Sequence, residues 1–449
     1  MAYRSGNREQ RIFFPLSIEE YVSTEDPVRA YDAFINALNF KELGIEMDET
    51  KVGNPQYNPK SMMKLLVYGC SYGFRSSRKL ERAVHQNLSF IWIMSGLKPD
   101  YKTISEFRRK NKKALNQVLK QCARMCIELK LIEGNTLFVD GTKIRANAGI
   151  KNSWTEQGCE KILKKVDKCI DEMLSECEEI DVKEANQPSL TSMQKELKDK
   201  KDLKSKMESI VKELNESERH SINTVDSDCE KMNSIQGTHA GYNVQNVVDE
   251  KHGLIVSTDV VNDNNDLAQF SNQIEKANKI LGEQCKTACA DAGYAKTEEL
   301  SKIDQEKIKV IVPSARQVSK KKVGPFDKER FIYESEHDCY ICPEGHKLTY
   351  RFIRVKSRSK IYKIINSSLC RGCCHFGECT KDKHSGREVS RLLNEDLRKR
   401  FEEQYNEAES QKIYKLRKQK VELPFGHIKR NLKVGGFLLR GLEGVKAEA

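Results

Sequence analysis

Two aspartates share a local pattern that suits metal chemistry. Asp140 follows the apolar run Leu137-Phe138-Val139, and Asp291 follows Ala288-Cys289-Ala290. Each is succeeded by a small residue, Gly141 or Ala292. Short apolar runs bounded by turn signals read as strands. Neighbouring strands of one sheet would bring such strand-end carboxylates side by side, as hard oxygen donors for Mg²⁺ or Mn²⁺. Two such ions a few ångström apart stabilise both the attacking and the leaving oxygen of phosphodiester cleavage. The candidate for a third carboxylate is Glu422, in the strongly basic stretch Tyr414-Lys-Leu-Arg417-Lys-Gln-Lys-Val-Glu422-Leu-Pro-Phe-Gly-His-Ile-Lys429. A lone glutamate among cations is either an ion-pair partner or a metal ligand on a phosphate-binding surface. Pro424 removes a backbone donor and is expected to kink this helix near Glu422. Asp259, Asp263 and Asp266 are rival carboxylates, but their setting reads as a loop with turn-forming side chains.

The cysteines suggest a second kind of chemistry. There are 15, and six cluster between 339 and 379. Cys339-x2-Cys342 and Cys370-x2-Cys373 are separated by a strand-like stretch around Lys347–Ile365. Two such knuckles on a β-hairpin would set four thiolates at the corners of a tetrahedron, the geometry of structural Zn²⁺. Cys374, His375, Cys379 and His346 are spare candidates. A closed four-thiolate site leaves no open position for catalysis; its work is to fold a small domain. The nine scattered cysteines read as small buried hydrophobes.

The elements that would position these groups follow from periodicity and punctuation. Residues 16–45 read as a helix, Asn58-Pro59 opens a second, a third covers 78–96, and another starts at Thr103 with hydroxyl caps and runs to about Leu131. Residues 1–130 form an all-helical basic domain, and Arg108 and Arg109 beside Phe107 suit contact with a DNA backbone. From Asn135 the chain turns to strands. Residues 155–218 are expected as a helical hairpin, with Ile162, Val166 and Ile170 on one arm and Leu203, Met207, Ile210 and Leu214 on the other, interrupted at Ala185-Asn-Gln-Pro188. A hairpin over 241–261, a helix from Leu267 to Leu281, a strand ending at Asp291, a short helix and a last strand at 308–312 follow. This order predicts an α/β fold with a mixed-sheet, ribonuclease-H-like core over 131–335 and 395–449. A cysteine-rich, zinc-ribbon-like insertion over 336–394 interrupts it.

Net charge is +12, and its distribution is uneven. Residues 61–130 hold 15 basic and 4 acidic residues, residues 411–440 hold 9 and 1, and residues 151–230 hold 14 and 20. Two basic patches flanking an acidic middle suit phosphate neutralisation. No apolar run approaches the roughly 20 residues of a membrane helix, and the opening stretch has no signal-peptide core. A cytoplasmic protein is expected, with cysteines reduced or metal-bound.

At these residues the sequence resembles the DDE transposases of bacterial insertion sequences, in the group with a Tyr-Arg-Glu-Lys signature on the glutamate helix. The resemblance rests on residues 137–148, 241–249, 290–294, 342–348 and 414–430, in that order, and on the N-terminal helices with YNPKSMMKLLVYGCSYGFRSSRKLE and TISEFRR. It implies that Asp140, Asp291 and Glu422 form the metal-binding triad, holding two Mg²⁺ or Mn²⁺ ions. It implies that Tyr414, Arg417 and Lys429 contact element-end DNA. Arg417 lies one residue further from Glu422 than the commonest pattern. The implied activity is strand cleavage and strand transfer at the element's inverted repeats, by a homodimer on double-stranded DNA near the nucleoid. Relatives continue past residues 440–448 with a further apolar helix. An inactive, truncated DNA-binding derivative is therefore the alternative, with a host nuclease on the same core as a third reading.

Overall fold

The computed structural model describes residues 17–45, 47, 56–181, 189–217, 219–234, 237–319 and 323–449. The opening stretch 1–16 and the expected interruption at Ala185–Pro188 lie outside them. Among the described residues no helix is long and apolar enough to cross a membrane.

The N-terminal region is helical: α1 (Val28–Ala37), α2 (Pro59–Ser71), α3 (Ser77–Gln86), α4 (Leu88–Ile93), α5 (Tyr101–Lys110) and α6 (Lys112–Glu128). Val28, Leu65, Tyr68, Leu80, Phe90 and Ile104 are fully buried in one cluster. Polar side chains cut the expected helices into shorter ones. Ahead of α1, the Asp26 carboxylate accepts from the Val28 N–H, and Pro27 precedes the first helical residue. Asn87 splits the third expected helix, its side chain accepting from the Ser89 and Phe90 N–H groups as the cap of α4. Asp100, rather than the hydroxyls at 103 and 105, caps α5 through the Thr103 N–H. Asn111 separates α5 from α6 by donating to the Phe107 carbonyl.

The central sheet contains β1 (Thr136–Arg145), β4 (Glu230–Ser234), β5 (Gly237–Asp249), β6 (Ile255–Val261), β7 (Thr287–Cys289) and β8 (Lys309–Ile311). Its order is β5-β1-β7-β8, with β6 and β4 sharing the other edge of β5. β5 and β6 are antiparallel to their neighbours, while β1, β7 and β8 run parallel. Lys143–Arg145 continues β1 without a break, because Gly141 stays in register opposite Gln245.

One face of this sheet packs on α6 and α9 (Phe270–Leu281) through Leu137, Val139, Ala288, Phe270 and Ile274. The other packs on α13 (Ala408–Gly426) through Phe138, Cys289, Ile311, Val421 and Phe425. Leu137, Phe138 and Val139 are buried on alternating faces, which explains an unbroken apolar run in a strand covered on both sides. Each such side chain contributes about 1.5–3 kcal/mol on burial.

Two small strands, β2 (Ser153–Trp154) and β3 (Ile222–Asn223), pair at the base of the hairpin α7 (Glu156–Asp181) and α8 (Ser189–Ser217). Cys159, Met207, Ile210 and Leu214 form that hairpin's buried seam. After the short α10 (Thr297–Leu300), a second antiparallel sheet follows: β9 (Ile332–Glu334), β10 (Cys339–Ile341), β11 (Lys347–Arg354), β12 (Ser359–Ile364) and β13 (Glu388–Leu392), with α11 (Ser367–Arg371) between the last two. It begins at Ile332, just before the expected boundary at 336. The chain returns through α12 (Glu395–Asn406) and α13, and ends in α14 (Leu442–Glu448). Arg75 holds this last helix through Glu448 at 2.8 Å and also donates to the Gly436 carbonyl.

Candidate active site

Register explains why Asp140 and Asp291 meet. Phe138 and Cys289 are paired residues of the parallel strands β1 and β7. Asp140 and Asp291 each lie two residues further on. The two-residue period of a strand turns each to the same face as that pair, towards α13. Parallel strands are about 4.8 Å apart, so the carboxylates are neighbours. Asp291 is held as the cap of a short turn, its Oδ1 accepting from the Gly293 N–H at 2.8 Å. Asp140 accepts from the Gly141 N–H at 2.8 Å.

Arg417 extends from α13 over this pair. Its Nη1 lies 3.3 Å from Asp140 Oδ2, and the side chain is buried. Its Nε is also buried and has no hydrogen-bond partner among the described residues. The guanidinium lies 5.6 Å from the centre of the Tyr414 ring, which packs edge-on against Tyr405. Burial pushes the Asp140 carboxyl up to about 6, and the charges of Asp291 and Asp266 add to this; Arg417 and the Gly141 N–H oppose it. Clustered carboxylates with one cation between them favour a further positive charge. Hard oxygens in the middle of β1 and just beyond the end of β7 thus fit a divalent cation.

Lys429 reaches β1 from beyond the C-terminus of α13, and its ammonium donates to the Thr142 hydroxyl. The helix does not stop at Pro424. It continues to Gly426 and then widens into a π-helical turn, His427–Asn431. Glu422 is exposed and has no hydrogen bond or ion pair among the described residues. Arg109, at the exposed end of α5, pairs with Glu106 at 3.5 Å. Arg108 instead lines an apolar cavity of about 490 Å³ that also touches α2, α6 and the final residues of the chain.

Asp266, read from sequence as a loop residue, belongs to this neighbourhood. Its Oδ1 accepts from Asn243 and Gln245, each at 2.6 Å, and lies 3.4 Å from Lys143 Nζ. Gln245 in turn accepts from Tyr294 at 2.5 Å. A Cβ at Gly141 would come within 2.4 Å of Gln245 and 2.7 Å of Asp266, so this network needs the glycine. The alternating polar residues of β5, Asn243 and Gln245, were the available signal. A strand with three buried amides, Asn246 among them, requires partners for them.

In the second sheet, Cys342, Cys370, Cys373 and Cys379 line one small cavity, together with His346 and His375. Cys339 is buried elsewhere, its thiol donating to Glu334 at 3.3 Å.

Comparisons with known proteins match two stretches of the chain. A transposase domain matches residues 16–110, which contain most of the N-terminal helices. A transposase DDE domain matches residues 341–449, from the cysteine-rich sheet through α13 to the end. Together the two matches support a DDE transposase of the insertion-sequence type. The strands that carry Asp140 and Asp291 lie between the two matches. No curated protein and no solved structure matches significantly.

Proposed function

We propose that this transposase cleaves DNA strands at the ends of its element and joins them to target DNA, using divalent ions held by Asp140, Asp291 and Glu422. The observation that carries this reading is the register: two carboxylates at equivalent positions of adjacent parallel strands, beneath a basic helix. Strand order and direction support a ribonuclease-H-like core over 131–335 and 395–449, carrying the 155–218 hairpin and preceded by a DNA-binding domain over 1–130.

When bound, two Mg²⁺ or Mn²⁺ ions would activate the attacking oxygen and stabilise the leaving 3′ oxygen. The chain's own residues do the rest. Asp140 presents its oxygens from within β1 and Asp291 from the turn that follows β7. Arg417 neutralises part of their charge and holds Asp140 in place. Glu422 is an unpaired carboxylate on the same helix. It precedes Lys429 by seven residues, across the junction of α13 and the π-helical turn, and Lys429 reaches Thr142 two residues beyond Asp140. That spacing supports Glu422 as the third ligand. Lys429 and the other cations of residues 411–440 would hold DNA phosphates and offset the repulsion between DNA and the carboxylates. Positioning and electrostatics, without a covalent enzyme intermediate, account for the chemistry. Joining two element ends requires at least two copies on DNA.

The test is incubation of the protein with DNA carrying the gene's own flanks and Mg²⁺ or Mn²⁺. Nicks at discrete flank positions are expected. Asp291→Ala should abolish them while leaving DNA binding nearly intact. Normal cleavage by that variant would sink the assignment.

A further inference from the structure

We infer that Cys342, Cys370, Cys373 and Cys379 form a four-thiolate Zn²⁺ site that closes the second sheet, and that Cys339 takes no part in it. These four residues line one cavity of about 30 Å³. That is the volume of a single water or a small ion. Three of the thiols already receive backbone N–H groups, as a metal-bound thiolate requires. His346 donates to Cys342 at 3.3 Å, His375 to Cys373 at 3.5 Å, and Arg387 to Cys370 at 3.4 Å.

The local backbone is shaped for these contacts. Gly345 follows Cys342 with φ +80°, turning the chain so that the His346 N–H faces back to the sulfur. Gly386 has φ +68°, and a Cβ there would meet Cys370 Sγ at 3.2 Å and Ile364 at 2.7 Å. The glycine lets Arg387 approach the thiol.

Cys339 is excluded by strand geometry. It lies in β10, three residues before Cys342. Successive side chains of a strand point to opposite faces, so Cys339 points away from the face that Tyr340 occupies. Tyr340 and Cys342 face the core of this sheet, where Cys370 and Cys379 also pack. Cys379 therefore supplies the fourth ligand. Among the described residues its thiol has no hydrogen-bond partner. The histidines fit less well: both ring nitrogens of His375 face carboxylates, Glu344 at 3.3 Å and Glu378 at 3.8 Å. Among the described residues only Glu344, Cys374 and His375 bring three ligand atoms within 4.8 Å of one another, and two of these residues are exposed; the four thiols line one cavity further apart, and the ion would draw them together.

Zinc binding here replaces four thiol protons by one ion and leaves the site with a net charge of −2. The small sheet has a modest core of six buried residues, among them Tyr340, Leu348 and Tyr362. A metal crosslink between its ends stabilises such a unit.

The experiment is metal analysis of the purified full chain, with absorption spectra after replacement of Zn²⁺ by Co²⁺. We expect about one zinc per chain and the charge-transfer bands of a tetrahedral cobalt thiolate site. Cys379→Ser should lose zinc to a mild chelator at least about tenfold faster, and Cys339→Ser should match the native chain. Because a serine variant can fail to fold, Cys379→His provides the second reading. It should retain metal, with cobalt bands shifted towards a three-thiolate, one-imidazole site. Absence of zinc from the native chain, unshifted bands in Cys379→His, or loss of zinc in Cys339→Ser with retention in Cys379→Ser would each overturn the proposal. So would loss in Cys374→Ser or His346→Ala with retention in Cys379→Ser.

Discussion

Asp140→Asn offers a direct measure of the charge crowding around Asp140, Asp291 and Asp266. In the folded chain the Asp140 carboxyl is protonated up to a pH of about 6, against an ordinary value of 3.8. The sign follows from linkage. A carboxyl with a raised folded-state value binds more protons folded than unfolded. Its favourable contribution is complete below pH 3.8 and is lost as pH rises through about 6. At about 1.4 kcal/mol per pH unit, the native chain would forfeit about 3 kcal/mol by neutral pH. The side chain is 17% exposed, so the charge is mostly buried. Water at its exposed edge and relaxation of Arg417 reduce the figure to about 1–3 kcal/mol. Asparagine keeps the shape and the contact with Arg417 but carries no charge. Without divalent ions, Asp140→Asn should therefore melt several degrees above the native chain at pH 7.5. That gap should shrink to about a third at pH 4.5 and close only below pH 3.8, at about 2–4 °C per kcal/mol for a unit the size of the core. Mn²⁺ at a hundredfold over its dissociation constant should then stabilise the native chain by about 2.7 kcal/mol and the variant far less. The assay is thermal melting across pH with and without Mn²⁺. An identical pH dependence for both proteins, or equal stabilisation by Mn²⁺, would refute the reasoning.

Two further perturbations separate the roles of the neighbours. Arg417→Met removes the cation between Asp140 and Asp291 and should cost about 3 kcal/mol at pH 7.5, with partial recovery at pH 5 as Asp140 takes up a proton. Urea melts check this; a loss independent of pH would make Arg417 a packing residue. Glu422→Gln should abolish flank cleavage with little change in melting, whereas Asp266→Asn should lower melting and keep measurable cleavage; the reverse pattern in nicking assays would make Asp266 the third ligand.

The helical punctuation shows how tertiary detail enters even in simple elements. Periodicity identified the N-terminal helices, but Asn87 and Asn111 break them through side-chain bonds to the backbone. A hydrophobic pattern counts apolar positions and is blind to such local competition. The same limit applies at the candidate active site. Strand-ending aspartates can be seen in sequence because Asp140 and Asp291 each close an apolar run. Asp266 lies among asparagines and aspartates that read equally well as a turn. Its place is set by Asn243 and Gln245, more than twenty residues away along the chain.

By itself, the sequence determined the element types, the alternation of helix and strand, the basic patches and the two clusters of metal-suited residues. These depend on local periodicity and composition, which the chain carries wherever it folds. Tertiary structure decided which members of each cluster face one another. Parallel register between β1 and β7 sets Asp140 beside Asp291, and the course of α13 lays Arg417 across them. In the second sheet, strand alternation turns Cys339 away from the core face of Tyr340, and a returning loop brings Cys379 to the cavity that Cys342 lines. Spacing along a chain becomes spacing in space only after each backbone conformation is known, since three residues span one turn of a knuckle but opposite faces of a strand.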